Sequence, residues 1–310
     1  MRWWIAFAAL LPVFAASAQD VPASVDPVDP LAQEIAFVTD ITRMTVPVSL
    51  AGAGPFRFVV DTGAERTVVS HELARRLRLP PGRDVRLTAM TGTTSVGTVI
   101  VPSLTVGALS GVGERRIEAP ALAATDIGAL GILGLDTLQG QKVVIDFDTQ
   151  TMTVTPSRKR HTLPAASDEI VVQARSVLGQ LVVTDARYRG QTVRVILDTG
   201  SMVSMGNAAL RKRLVKADAK RDTPIELISV TGGKLQAGYT QIGKVSLGEI
   251  AFDNLPIAFA DAAPFAKFGL VQRPAMLLGM DALRLFRRVD IDFVNREVRL
   301  RKPRNIRNAY

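Results

Sequence analysis

Val59-Val60-Asp61-Thr62-Gly63-Ala64 and Ile196-Leu197-Asp198-Thr199-Gly200-Ser201 are two versions of one phrase, an apolar run that ends in Asp-Thr-Gly. The likeness extends outward from both copies. Phe56-Arg57-Phe58-Val59-Val60 leads into the first motif and Val193-Arg194-Val195-Ile196-Leu197 into the second, both of strand length. Downstream, Leu73, Arg75, Arg76 and Leu77 recur at one constant offset as Leu210, Lys212, Arg213 and Leu214. Ile132-Leu133-Gly134-Leu135-Asp136 returns as Leu277-Leu278-Gly279-Met280-Asp281, and Ile145-Asp146-Phe147 as Ile291-Asp292-Phe293. The chain is an internal repeat with a unit of roughly 120 to 130 residues. One Asp-Thr-Gly alone would carry little, because Asp and Gly are ordinary turn formers. Two in matched context require a shared structural reason.

Composition narrows the classes. With 310 residues, 47% of them hydrophobic and 22% charged, the chain can bury two compact cores and lacks the polarity of a disordered protein. It contains no cysteine, which excludes disulfides, thiol catalysis and cysteine-ligated zinc. His71 and His161 stand in separate segments without an HExxH or Ser-His-Asp pattern. Both read as solvated surface residues, so no metal and no cofactor is expected. The formal charge of +9 gathers in the basic run around Arg158-Lys159-Arg160 and between Arg296 and Arg307. Aromatics make up only 5%, too few to interleave with a basic face as nucleic-acid binding requires. Peripheral attraction to an anionic envelope surface, or plain solubility, fits the charge better.

Arg2, the apolar stretch Trp3 to Ala16 and the small residues Ala16-Ser17-Ala18 have the form of a secretory signal. The stretch is shorter than the roughly 20 residues of a membrane-spanning helix. Cleavage after Ala18 and a periplasmic or secreted location are expected. The segments read as signal peptide over 1–18, flexible leader over 19–34, first unit over 35–156, basic linker over 157–168, second unit over 169–303 and tail over 304–310. Short apolar and period-2 runs such as Met44 to Leu50, Val96 to Val101, Val143 to Val154 and Val289 to Leu300 dominate both units. Each unit is therefore all-β, with one short helix or two. The first helix is expected over 70–77 and, in the second unit, over 207–214, where Ser70 and Asn207 are suitable caps.

On these motifs the chain resembles the retropepsin-like, or pepsin-like, aspartic protease superfamily, especially its bacterial members with two such domains in tandem. The resemblance implies two pseudo-symmetric acid-protease β-barrel lobes, in which each Asp-Thr-Gly loop and the later Leu-Gly segment cross to form the floor of a site. It implies an exported aspartic endopeptidase acting on polypeptides, with Asp61 and Asp198 as the catalytic pair and Thr62, Gly63, Ala64, Thr199, Gly200 and Ser201 as the supporting loops. One chain holds both halves, so a monomer suffices; lobes paired between chains of a homodimer are an alternative. So is a non-catalytic module that keeps the fold to bind peptides or envelope components. The family's substrate-covering flaps are glycine-bearing hairpins, and the candidates are Met90 to Thr98, with Gly92 and Gly97, and Ser229 to Tyr239, with Gly232 and Gly233.

The residue types suit that chemistry. Two carboxylates about 3 Å apart cannot both ionise, so one keeps a proton and the pair can activate a water molecule. The threonine hydroxyls can donate and accept, and so tie the two loops together; the glycines permit an approach that a Cβ would block. Ser201 stands where the first motif has Ala64. Its hydroxyl is expected to favour ionised Asp198, leaving the shared proton more often on Asp61. Asp136 and Asp281 read as turn or helix caps, and Asp146, Asp148, Asp290 and Asp292 as solvated charges at sheet edges. Glu65 reads either as a substrate or loop contact or as half of a surface salt bridge.

Overall fold

Thr45–Leu50 alternates, burying Val46, Val48 and Leu50, and turns back antiparallel on Ala53–Val60, the strand that delivers Asp61. This pair belongs to a seven-stranded sheet with the order Thr98–Val101, Ile117–Leu122, Val68–Ser70, Gly131–Leu133, Ala53–Val60, Thr45–Leu50 and Leu104–Val106. Residues 44–106, 116–177, 180–183, 186–212 and 222–303 are described by the computed structural model. The expected signal peptide, leader and tail lie outside the described residues.

The repeat in sequence is a repeat in hydrogen-bond register. In the first half, Val59 and Val60 run parallel to Ile132 and Leu133, while Val68 pairs antiparallel with the same Ile132 and Val69 runs parallel to Ala121. In the second half, Ile196 and Leu197 run parallel to Leu277 and Leu278, Met205 pairs antiparallel with Leu277, and Met205 runs parallel to Ala258. These strands are buried and almost wholly apolar, which is what parallel strands covered on both faces require. Among the described residues each half carries three short helices: His71–Arg76, Ala124–Ile127 and Leu135–Leu138, then Ala208–Leu210, Ala263–Lys267 and Met280–Leu283. Ser70 and Asn207 cap the expected pair, accepting from the amides of Leu73 at 3.1 Å and Leu210 at 2.8 Å. The last residues of the expected 207–214 helix lie outside the described residues.

The halves share a twelve-stranded sheet. Gln141–Asp146 of the first pairs antiparallel with Arg288–Asp292 of the second, setting Val143 opposite Ile291 and Ile145 opposite Val289, all fully buried. The main apolar core consequently runs through both halves without a break, in place of the two separate cores expected from composition. The sequence shows that each unit closes on a strand and does not show that the closing strands pair with each other.

That pairing also corrects the reading of the acidic residues there. Asp290 and Asp292 lie on an internal strand, not an edge, and Asp292 and Glu297 are buried. Asp292 accepts from Ser157 Oγ at 2.8 Å and Asn295 Nδ2 at 2.8 Å, and Arg160 of the linker reaches Glu297 at 2.8 Å and Asp292 at 3.7 Å. Arg299 adds a second cation on Glu297 at 2.6 Å. Burial would raise both carboxyls, but hydrogen bonds from Asn295 and Ser157 hold Asp292, and those from Arg299 and Arg160 hold Glu297, below the ordinary carboxylate range.

Carboxyls lowered in the folded state stabilise it above their unfolded pKa and lose that contribution as pH falls through the folded value. Replacing Arg160 by Ala leaves Glu297 and Asp292 short of a cation and should cost about 1–3 kcal/mol near neutral pH. The loss of stability on acidification should shrink in the variant. Urea denaturation from pH 3 to pH 7 checks both; a midpoint equal to wild type across that span would show the linker arginine to be idle.

Candidate active site

The two Asp-Thr-Gly turns meet. Asp61 and Asp198 leave their strands at the same point, each donating its amide to the carbonyl of the neighbouring Leu-Gly strand, Leu133 and Leu278, at 3.0 Å in both halves. Thr62 donates its amide to Thr199 Oγ1 at 3.1 Å and Thr199 returns the bond to Thr62 Oγ1 at 3.2 Å. Each hydroxyl then donates across the axis, Thr62 to the carbonyl of Leu197 at 2.8 Å and Thr199 to that of Val60 at 2.7 Å. Both threonines are buried, so these four bonds act without competition from water.

The clamp places each carboxylate against the other motif's glycine. A Cβ on Gly63 would stand 2.9 Å from Asp198 Cγ, and one on Gly200 would overlap the carboxylate of Asp61. Within its own turn Asp61 Oδ1 accepts from Gly63 at 2.7 Å and Ala64 at 3.0 Å, and Asp198 Oδ1 accepts from Gly200 and Ser201, both at 3.1 Å. Each carboxyl keeps part of its surface open to the cleft, but the protein around it removes most of its water. That burial, the charge of Asp61 and a hydrogen bond to Asp61 push Asp198 up to about 8, against the opposing amides of Ser201 and Gly200.

The premise for placing the shared proton on Asp61, a Ser201 hydroxyl bonded to Asp198, is not met. Ser201 Oγ donates to the carbonyl of Val203 at 2.8 Å and not to Asp198. The hydroxyl that was to favour ionised Asp198 is occupied by its own turn, and burial together with the charge of Asp61 favours a protonated Asp198 within a pair that titrates as a unit.

Sequence reasoning missed the second pair of anchors. Thr67 donates its amide at 2.8 Å and its hydroxyl at 2.7 Å to Asp136 Oδ1, and Ser204 donates its amide at 2.9 Å and its hydroxyl at 2.6 Å to Asp281. The same two hydroxyls accept from the amides of Gly134 and Gly279, both at 3.1 Å. Asp136 and Asp281 thus tie the active-site loop to the Leu-Gly turn; the helices that follow are preceded by Gly134 and Gly279, which supply no side-chain cap. A signal was present, since hydroxyl residues occupy positions 67 and 204 at equal distance from the two motifs.

Both flap candidates are hairpins, Val85–Ala89 with Gly92–Val96 and Thr223–Ile228 with Lys234–Ile242. None of the four candidate glycines lines the cleft; Arg86 to Met90 and Leu227 to Val230 do. Gly232 adopts φ +76° in the second turn, whereas Gly97 lies at the base of the first hairpin. The tips cross over. Met90 packs on the second half's cleft-side cluster and accepts from the amide of Ala263 at 3.0 Å, and Val230 packs on the first half's cluster of Val68, Leu122, Ile127 and Ile132. Below them lies a cleft of about 320 Å³ with Asp61 and Asp198 in its floor, within the usual size of ligand sites, roughly 300–1,000 Å³. Glu65 lines it as well, paired with Lys267 Nζ of the second half at 2.7 Å. His71 and His161 are exposed and away from it.

A carboxyl whose folded pKa is raised makes the fold less stable as pH climbs from its unfolded value, near 3.8, through about 8. Asp198→Asn removes that ionisation and should raise stability at pH 8 by roughly 1–3 kcal/mol, with little change near pH 4. Thermal melts of both proteins at the two pH values decide it. A variant less stable than wild type at pH 8 would contradict the assignment.

Two family models match the chain. Residues 46–140 match that of the gag-polyprotein aspartyl proteases, and residues 184–282 match a second described as aspartyl protease. Each match spans one Asp-Thr-Gly motif, its helix and its Leu-Gly turn. No curated protein matches the chain. Duplicated motif, register and family models agree: the chain belongs to the retropepsin-like aspartic protease superfamily, with two such domains in tandem.

Proposed function

We propose that the chain is an exported aspartic endopeptidase whose single active site is completed within one polypeptide, with Asp61 and Asp198 as its catalytic residues. The observation that carries the reading is the seating of each carboxylate against the other motif's glycine, where burial and the charge of Asp61 favour a protonated Asp198. Such a pair has one proton to give and one site to receive. Ionised Asp61 takes a proton from a water molecule whose oxygen adds to the peptide carbonyl carbon, while Asp198 gives its proton to the carbonyl oxygen. In the collapse that follows, Asp198 recovers a proton from the diol, Asp61 gives its own to the nitrogen, and the carbon–nitrogen bond breaks. Both carboxyls end as they began.

The crossed hairpins support a peptide substrate. An extended chain laid over the floor would be covered from both halves, and the apolar clusters under Met90 and Val230 offer matching places for the side chains beside the scissile bond. Export rests on the residue pattern of 1–18; recovery of the chain from the cytoplasm with that segment intact would contradict it.

Digestion of a peptide library by wild type, Asp61→Asn and Asp198→Asn tests the reading. Either substitution should lower kcat/KM on the order of 10³-fold or more. Wild-type cleavage should persist close to neutral pH and fall as pH rises through about 8, where Asp198 gives up its proton. Cleavage that survives either substitution, or that increases beyond that pH, would overturn it.

A further inference from the structure

The two walls of the cleft are not equivalent. At positions related by the repeat, the first half presents Glu65 and Arg66 and the second Met202 and Val203, and all four line the cleft. Glu65 is engaged by Lys267. Arg66 is not engaged in the same way, for its Nη1 is buried without a hydrogen-bond partner among the described residues. A guanidinium N–H withdrawn from water with no acceptor costs free energy, and in a binding cleft such a group points to an acceptor supplied by the ligand. Val203, in the matching place, packs against the second half's cleft-side apolar cluster, as Leu227 and Phe268 do.

The surrounding charge has the same sense. Arg86 lines the cleft from the hairpin strand whose next residue, Leu87, packs against the first half's cluster, as Ala64 does. Apart from the floor pair and the Glu65–Lys267 ion pair, the charged side chains lining the cleft among the described residues are the cations Arg66 and Arg86.

Resting on the peptidase reading, we infer that Arg66 is a specificity-determining residue that selects peptides with an aspartate or glutamate on one side of the scissile bond and an apolar side chain at the equivalent place on the other. The planar guanidinium can donate two parallel N–H bonds to a carboxylate, a geometry that an amide does not reproduce. The difference between the walls also gives the peptide a direction that the near-symmetric floor does not supply.

The test uses pairs of peptides that share apolar residues at the cleavage point and differ only by Asp or Glu against Asn or Gln at each flanking position. Wild type should cleave the acidic member about ten- to a hundredfold faster at one position only. Arg66→Gln should bring that ratio close to one, Arg66→Lys should keep part of it, and Arg66→Glu should transfer the preference to a lysine at the same position. The neutral peptide in each reaction reports that the variant is folded. Fluorescence anisotropy with Asp198→Asn, alone and with Arg66→Gln, reads the same preference as binding. Cleavage with no acidic preference, or a preference that Arg66→Gln leaves intact, overturns the inference and leaves the peptidase reading standing. Acid-selective binding through Arg66 without cleavage by wild type supports the role of Arg66 and overturns the peptidase reading.

Discussion

Thr62 and Thr199 exchange hydrogen bonds across a local two-fold axis, and the rest of the site depends on that exchange. Each hydroxyl accepts from one backbone amide and donates to one backbone carbonyl of the other half, so both its donor and its acceptor capacity are used in a place closed to water. The bonds fix the distance between two backbone turns, and the glycine after each threonine lets the opposing carboxylate occupy the space a side chain would take. A serine could supply the hydroxyl, but the threonine methyl restricts χ1 and holds the oxygen in line. The pairing of Gln141–Asp146 with Arg288–Asp292 is a second tie between the halves besides this clamp.

Two sets of buried carboxyls respond to pH in opposite senses. Asp198 is raised by burial and by Asp61, and its charge is tolerated less as pH increases. Asp292 and Glu297, held low by hydrogen bonds and by Arg160 and Arg299, cease to support the joint in acid. Together they give a protein whose fold resists strong acid poorly while its floor retains a proton close to neutrality. For the proposed peptidase this predicts a working range from mildly acidic to neutral pH, set by the environments of the carboxyls, since the residue types alone would place every one of them near the same value.

Most of the fold was legible because the sequence states it twice. A duplicated Asp-Thr-Gly, a duplicated Leu-Gly segment and two closing strands are local patterns, and each formed where it was read. What stayed hidden is what depends on pairing between distant segments. The closing strands look like edges until they are seen to pair with each other, and Asp292 looks solvated until the linker folds over it with Arg160. Ser201 was misread for a related reason: its neighbourhood in sequence suggests Asp198 as a partner, whereas the turn aims its hydroxyl at Val203. Thr67 and Ser204 carried a readable signal, two hydroxyls equally spaced from their motifs, but their partners Asp136 and Asp281 lie about 70 to 80 residues on and are brought near only by the crossing of the loops. The difference between Arg66 and Val203 is plain in the repeat, and its meaning appears only when both prove to line one cleft.

The central claim is that two carboxyls from one chain are pressed together strongly enough for Asp198 to keep its proton. Carbon-13 NMR of side-chain carboxyls in aspartate-labelled protein, with Asp198→Asn used to assign the resonance, measures this directly. The expected result is an Asp198 signal that titrates with a midpoint near 8. Midpoints close to the ordinary aspartate value of about 3.9 for Asp198 and Asp61 alike would show that the pair is not formed.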